Sequence, residues 1–335
     1  MTPIALDLDH VGIAVADLEA GREAFARLGF TLTARSYHKG SRLPAGPVEP
    51  WGSANHCAML TDGYLEVLGV TDPERFSNAK LMVARYEGLH IVALRPASVD
   101  SAHAALTRAR LPVDAPRDLE RMAPYGSTGT EQRRVAFRNM YLTKSVFPEA
   151  QFQYTEHLTR DAMWQPHLLQ HPNTARGLET VFLCSEDPVA TAAKLAPMFG
   201  VEPNAASRGE CLLQLSRSSL RVVSPASWST WAPGAARPPL PAPVGVAVRV
   251  ASLEAARFAA RSQQSAIRPW ARRRPQSRSV ARRGRRAVLF RRRRCTDLSA
   301  DTGHPLVRAG ALGFPSAAPS HGDRPRRCKN PCIAA

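Results

Sequence analysis

Four times along the chain, a short apolar run rich in β-branched residues meets Asp or Ser and passes into a segment whose apolar residues recur at helical spacing. The copies read HVGIAVADLEAGREAFARLGF from His10, HIVALRPASVDSAHAALTRARL from His90, ETVFLCSEDPVATAAKLAPMFG from Glu179 and GVAVRVASLEAARFAARSQQS from Gly245. In the first, Leu18, Phe25 and Leu28 form the helix stripe and Gly29 supplies a stop. Strand chemistry then returns at Phe30–Ala34, Ala54–Leu60 and Tyr64–Val70, with Asp62-Gly63 as the turn between the last two. The order is therefore β-α-β-β-β.

The second copy has the same ingredients at wider spacing, with Gly126-Ser127-Thr128-Gly129 as a loop and Gln151–Leu158 as its last strand. The third runs through Cys211–Leu215 and Leu220–Val223, and a Pro-rich stretch from Trp231 to Pro243 links it to the fourth. The fourth stops after its helix near Ile267, so its first strand, Val244–Val250, is expected to pair with the third unit and otherwise present an edge. The pattern predicts an α+β protein of tandem βαβββ units. Residues 1–165 form one paired module, 166–267 a degenerate and incomplete second module, and 268–335 an Arg-rich disordered tail.

Charge sharpens that division. The formal charge is +17, yet 18 of the 45 Lys and Arg and only three acids (Asp297, Asp301, Asp323) lie in residues 268–335. The remaining 27 basic and 25 acidic residues nearly cancel over 1–267. Thirteen arginines between Arg268 and Arg294, with no acid among them, oppose burial. The tail shows no recognisable helix or sheet pattern to present its charge, so no specific nucleic-acid partner is expected. No run approaches the roughly 20 apolar residues of a membrane span. Six cysteines (Cys57, Cys184, Cys211, Cys295, Cys328, Cys332) lack paired metal-finger spacing, which suits a reducing cytoplasm.

Strand alternation decides which side chains can meet. In Leu8–Val15, residues Val11, Ile13 and Val15 share one face, and His10, Gly12 and Ala14 the other. In Tyr64–Val70, Glu66 shares a face with Tyr64 and Leu68. His90 stands in the second repeat where His10 stands in the first. A histidine pair completed by carboxylates suits a divalent cation such as Zn, Ni, Fe or Mn. The expected ligands are His10, Glu66, His90 and, from the last strand of the second unit, Glu156; of Glu156 and its neighbour His157, only one can face the cavity. Asn55, His56, Tyr64 and His38 are candidates to line the pocket or its mouth. In the second pair of repeats Glu179 and Gly245 occupy the histidine column and Arg221 the Glu66 column, which predicts a Glu179–Arg221 ion pair and no metal.

LDHVGIAVADLEAGREAFARLGF, with YLEV around Glu66 and GLHIVAL around His90, resembles the glyoxalase, bleomycin-resistance and dioxygenase superfamily, also called vicinal oxygen chelate. WGSANHCAML followed by DGYLEVLGV is similar, more narrowly, to its glyoxalase-like domains, with Ser53 where those commonly carry Thr. The likeness spans about residues 6–160 and extends more weakly to about 267. It implies paired βαβββ units whose mixed sheets are cupped around one metal, held at the positions of His10, Glu66, His90 and Glu156. It further implies chelation of two neighbouring oxygens of a small substrate and a metal-stabilised enediolate, with Glu156 or Glu66 as base. Glyoxalase, lyase and isomerase chemistry fit that description, in a monomer or a homodimer. An Fe(II) ring-cleaving dioxygenase built on His10, His90 and one carboxylate is the enzymatic alternative. A metal-free protein that sequesters a small molecule is the alternative of another class.

Overall fold

The computed structural model describes residues 3–41, 46–206, 209–262 and the pair Leu306–Val307. The first unit comprises β1 (Asp7–Val15), α1 (Leu18–Arg27), β2 (Ser36–Gly40), β3 (Glu49–Met59) and β4 (Tyr64–Val70), followed by the short helix α2 (Asn78–Val83). The second comprises β5 (Gly88–Arg95), α3 (Val99–Arg108), β6 (Arg117–Tyr125), β7 (Glu131–Tyr141) and β8 (Gln151–His157). A connector then carries α4 (Arg160–Met163) and a 3-10 turn at Pro166–Leu169. The third unit comprises β9 (Ala175–Cys184), α5 (Pro188–Phe199), β10 (Asn204–Ala206), β11 (Glu210–Gln214) and β12 (Ser219–Val223). After α6 (Pro225–Trp231), the fourth begins with β13 (Ala242–Val250) and α7 (Leu253–Ser262). Leu306–Val307 form a short strand, β14.

Local chemistry starts and stops these elements where the sequence indicates. The Asp17 carboxylate accepts hydrogen bonds from the Glu19 and Ala20 amides, opening α1, and Leu18 and Phe25 bury its apolar stripe. Gly63 turns the chain between β3 and β4 at φ +86°, a left-handed conformation that favours glycine. Phe30–Ala34, expected as a strand, is extended but unladdered. Phe30 and Leu32 pack against the core, the Thr33 amide donates to the Cys57 carbonyl of β3, and the ladder begins at Ser36.

The fold is α+β with two mixed sheets. Units one and two share an eight-stranded sheet of order β2-β3-β4-β1-β5-β8-β7-β6, so the two units meet where β1 runs antiparallel to β5. Units three and four form a second sheet, β10-β11-β12-β9-β13-β14. β14 pairs Leu306 and Val307 with Arg249 and Val248, so over two residues the far side of β13 is covered rather than bare. The rest of the Arg-rich tail lies outside the described residues, as do Cys295, Cys328 and Cys332. One apolar core runs through both sheets, from Val11, Ile13 and Phe25 through Phe152 and Tyr154 to Val181, Leu195 and Phe199.

Two bulges in the β1–β5 pair fix what each side chain faces. Leu8 opposes Leu94 and His10 opposes Ala93, so Asp9 is the extra residue on β1. Gly12 opposes Ile91 and Ile13 opposes Leu89, so His90 is the extra residue on β5. A side chain on Gly12 would collide with Ile91, whose Cβ lies 2.8 Å from where it would sit; Ile91 therefore lies on the His10 face.

A charged network joins the two sheets. Buried Asp7 accepts from the Arg95 guanidinium, the Arg217 amide and the Ser218 hydroxyl, while Asp62 binds Arg217 and Arg249. Removing the Asp7 carboxylate strands these donors in a partly desolvated seam. We expect Asp7→Ala to cost about 3 kcal/mol of stability, measured as a lower urea midpoint; an unchanged midpoint contradicts a structural role for the network.

Candidate functional site

The face of the eight-stranded sheet that carries His10 is concave, and both its ends are filled. At one end α2 sets Ala79 and Met82 against Ala14, Leu68 and Ile91. At the other, α4 and the 3-10 turn bring Met163, Trp164 and Leu168 onto Met59, Tyr64, Val135 and Phe137. Between these plugs the strands present a polar band. In register, Gly12 lies beside Glu66 and His10 beside Tyr64; Cys57 opposes Glu66; Gln153 lies beside Ala93; and Asn139 and Tyr141 oppose Thr155 and Gln153.

His10 is held on three sides. Its ring stacks on Tyr64 at 4.5 Å, its Nδ1–H donates to Asp9 Oδ1 at 2.7 Å, and its Nε2 accepts from the Gln153 amide at 3.4 Å. A carboxylate can only accept and an amide NH2 can only donate, so this surrounding selects the tautomer with its lone pair on Nε2. The same Asp9 oxygen accepts from His157 Nε2 at 3.1 Å. Burial alone would push the Asp9 carboxyl up, but the charge and hydrogen bonds of His157 and His10 outweigh it and hold it well below the ordinary carboxylate range.

Glu66 occupies the middle of the band with 14% of its side chain exposed. Its Oε1 accepts from Asn55 Nδ2 and lies 4.0 Å from His38 Nε2. His38 Nδ1 pairs with Ser53 Oγ at 2.8 Å. Burial lowers the His38 pKa, outweighing the opposing pull of Glu66, and Arg121 lowers it further, so His38 is neutral at pH 7. Burial raises the phenols of Tyr64 and Tyr141, which stay protonated as donors. Asn55 Oδ1 and Asn139 Oδ1 are buried acceptors without a donor among the described residues.

Three of the residues expected here lie elsewhere. His90 is the bulge residue of β5, so it leaves the His10 face. Its ring stacks on Tyr86 at 3.9 Å and its Nε2–H donates to the Tyr86 carbonyl at 2.9 Å, locking the turn before β5. Glu156 points to the helical side, where Oε2 accepts from the Val99 amide at 2.8 Å and caps the start of α3. Alternation gives the concave face to His157, which touches Tyr64, Phe137 and Trp164. His56 opposes Val67 of the core face, and its Nδ1 donates to the Thr33 carbonyl at 2.9 Å. Asn55 and Tyr64 are on the concave face.

These positions set the donor groups that the expected cation would meet. Internal symmetry across the β1–β5 pair equates His10 with Ile91, Asp9 with His90 and Glu66 with Gln153. The columns expected to hold a cation thus carry one imidazole, one carboxylate, one amide and one aliphatic side chain. Among the described residues no three His, Cys, Asp or Glu side chains gather as a metal would require. The donor set does not fit a divalent cation, and with His90 turned away the two-histidine triad of a ring-cleaving dioxygenase is not assembled. In the second sheet the Glu179–Arg221 pair is likewise not formed: Glu179 meets Arg249 at 3.3 Å and Arg221 meets Glu210 at 2.7 Å.

The sequence alone does not single out Asp9, Gln153, Arg121, Asn139 or Tyr141. Asp9 was adjacent to a chosen residue, but its role depends on the bulge; Gln153 shares the period-2 face of His157, the one available signal. The acid response separates the structural histidine from the aspartate. Burial pushes His90 down to about 4, despite its bond to Tyr86, from the ordinary value near 6.5. Protonation is therefore easier in the unfolded chain, so the stability tied to neutral His90 is complete above about pH 6.5 and lost as pH falls toward 4. The Asp9 contribution is present above about pH 4 and lost only below it. We expect His90→Gln to flatten the urea midpoint between pH 6.5 and 4.5, whereas Asp9→Asn flattens only the more acidic arm.

Comparison with known proteins agrees with this architecture. A glyoxalase-like domain family model matches residues 8–199. No functionally curated protein matches the chain. A hypothetical protein from Staphylococcus aureus superposes with a TM-score of 0.51 at 16% identity, covering 65% of this chain and 86% of that one. Methylmalonyl-CoA epimerase from Mycobacterium tuberculosis matches with a TM-score of 0.31 at 20% identity, covering 47% and 91%. A Streptomyces coelicolor methylmalonyl-CoA epimerase solved with 2-nitronate-propionyl-CoA gives 0.29 at 22%, covering 45% and 96%. Among the described residues no helix is long and apolar enough to cross a membrane. With its family match spanning more than half the chain and its first two units closing one cupped sheet, the protein belongs to the glyoxalase-like domain family of the vicinal-oxygen-chelate superfamily.

Proposed function

We propose that the polar band of the eight-stranded sheet binds a small oxygenated molecule and moves a proton at the carbon beside its carbonyl, with Glu66 as base and without a protein-bound metal. The observation that carries this reading is the setting of Glu66. Its Oε1 is engaged by Asn55 and faces His38, which leaves Oε2 with no hydrogen-bonding side chain among the described residues. A carboxylate held by one oxygen and open at the other is a positioned general base. In the step itself, the C–H proton passes to Glu66 and the electron pair moves into the adjacent C–C bond. The carbonyl oxygen takes up the negative charge, which nearby neutral donors and cations of the band stabilise. Returning the proton to the same or the neighbouring carbon gives an epimerase or isomerase outcome; loss of a leaving group gives a lyase outcome.

His10, on the neighbouring strand β1 and beside Tyr64, supports the same chemistry. Its orientation by Asp9 and its acceptor Nε2 suit it to receive a substrate hydroxyl proton or hydrogen bond. The metal-assisted version of this reaction lacks support from the donor set, because Ile91 and Gln153 stand where the second half of a cation site belongs.

The test is exchange of solvent deuterium into a panel of small hydroxyketones and 2-oxo acids, followed by NMR. Wild-type protein dialysed against chelator should keep its exchange rate. Glu66→Gln should lower that rate by about 10²-fold or more, and His90→Ala, which alters only the turn lock, should retain most of it. Binding without exchange by the wild type would leave a sequestering protein as the function, and loss of exchange on chelation would overturn the metal-free step.

A further inference from the structure

The arginines of β6 and β7 are almost all accounted for by acids. Arg134 pairs with Glu120, Arg138 with Asp100 and Asp118, and Arg117 with Asp114. Arg133 lies over the Tyr125 ring, with Asp161 at 4.0 Å. Arg121 differs: among the described residues no carboxylate lies within ion-pair distance of it, although it is half-buried. Its direction follows from register. Arg121 opposes Val135, and Val135 packs with Cys57, Met59 and Tyr64, so the guanidinium belongs to the concave face. Its charge acts on Cys57, Tyr64 and His38 across the cup, opposing that of Glu66 at all three.

A guanidinium drawn part-way out of water with no carboxylate to meet it is costly to keep unless something else meets it. Its planar fork fits a carboxylate or phosphate oxygen pair. On the same face, Asn139 opposes Arg117 two rungs away, and its Oδ1 is a buried acceptor lacking a donor. A ligand hydroxyl would supply that donor.

Resting on the reading of the cup as a small-molecule site, we infer that its ligand is a hydroxylated or oxo anion. Arg121 grips the carboxylate or phosphate monoester of that ligand, and the carbon bearing the exchangeable proton is presented to Glu66. Arg121 is in this sense the specificity-determining residue: it distinguishes charged from neutral molecules of one shape.

Matched pairs that differ in charge isolate the effect: lactate against lactamide, and glycerol phosphate against glycerol. Each is titrated by ligand-observed NMR into wild type, Arg121→Gln, Arg121→Lys and Arg134→Gln, with circular dichroism confirming that each variant is folded. Wild type and Arg134→Gln should prefer the anion in at least one pair by about tenfold or more. Arg121→Gln should abolish that preference and Arg121→Lys keep part of it; whichever pair responds identifies carboxylate or phosphate as the group recognised. Equal binding of anion and neutral partner by wild type, or an undiminished preference in Arg121→Gln, overturns the anion assignment while leaving the cup a binding site. Failure of all four compounds to bind wild type counts against the small-molecule site itself, and the anion assignment falls with it.

Discussion

The site depends on where two surplus residues sit in one antiparallel strand pair. β1 and β5 join the two units, and the pairing can absorb an extra residue on each strand only by turning that residue out of the alternation. On β1 the surplus residue is Asp9, which becomes a buried carboxylate able to orient two imidazoles. On β5 it is His90, which becomes a turn lock. Everything downstream on each strand keeps its face: His10 and Ile91 toward the cup, Val11 and Val92 toward the core. Shifting either bulge by one position would exchange a polar wall for an apolar one.

That constraint separates what could be read from residues alone from what could not. The β1 and β4 strands and helix α1 were legible because period-2 alternation, a capping Asp17 and the Asp62-Gly63 turn all act over a few residues. The faces of His10, Glu66 and Tyr64 follow from the same alternation; applied to β3 it would also have separated Asn55 from His56. His90 was misplaced because two repeats were aligned on identical residues, whereas a bulge changes the spatial register without changing composition. Glu156 was misplaced for a related reason: one step along β8 separates the cup from the helix layer, and an acid at the strand end satisfies an amide of α3 as readily as it would a cation. Arg121 is invisible in the sequence because its strand, β6, is mostly exposed and charged, with little hydrophobic alternation to mark it.

The second sheet shows the same architecture put to a different use. Thr180 and Ser219, hydrogen bonded at 2.9 Å, stand at the register positions that His10 and Tyr64 hold in the first. Phe182, Trp228 and Trp231 pack together across the corresponding concave face, with Cys184 and Leu240 in the same apolar cluster. A cup lined by such rings is already a core. The polar investment of the fold is concentrated in one half, and the other half contributes apolar mass and the Arg217 and Arg249 contacts that steady it.

The two plugs at the ends of the first cup carry an implication for how such a protein diversifies. α2 and α4 close the cavity along the direction of the central strands, so its width is set between β2 at one edge of the sheet and β6 at the other. Edge strands have one neighbour instead of two, and their side chains contribute least to the buried core. Substitutions at the margins would therefore alter the width and charge of the cup while leaving untouched the central strand pair whose bulges set the register.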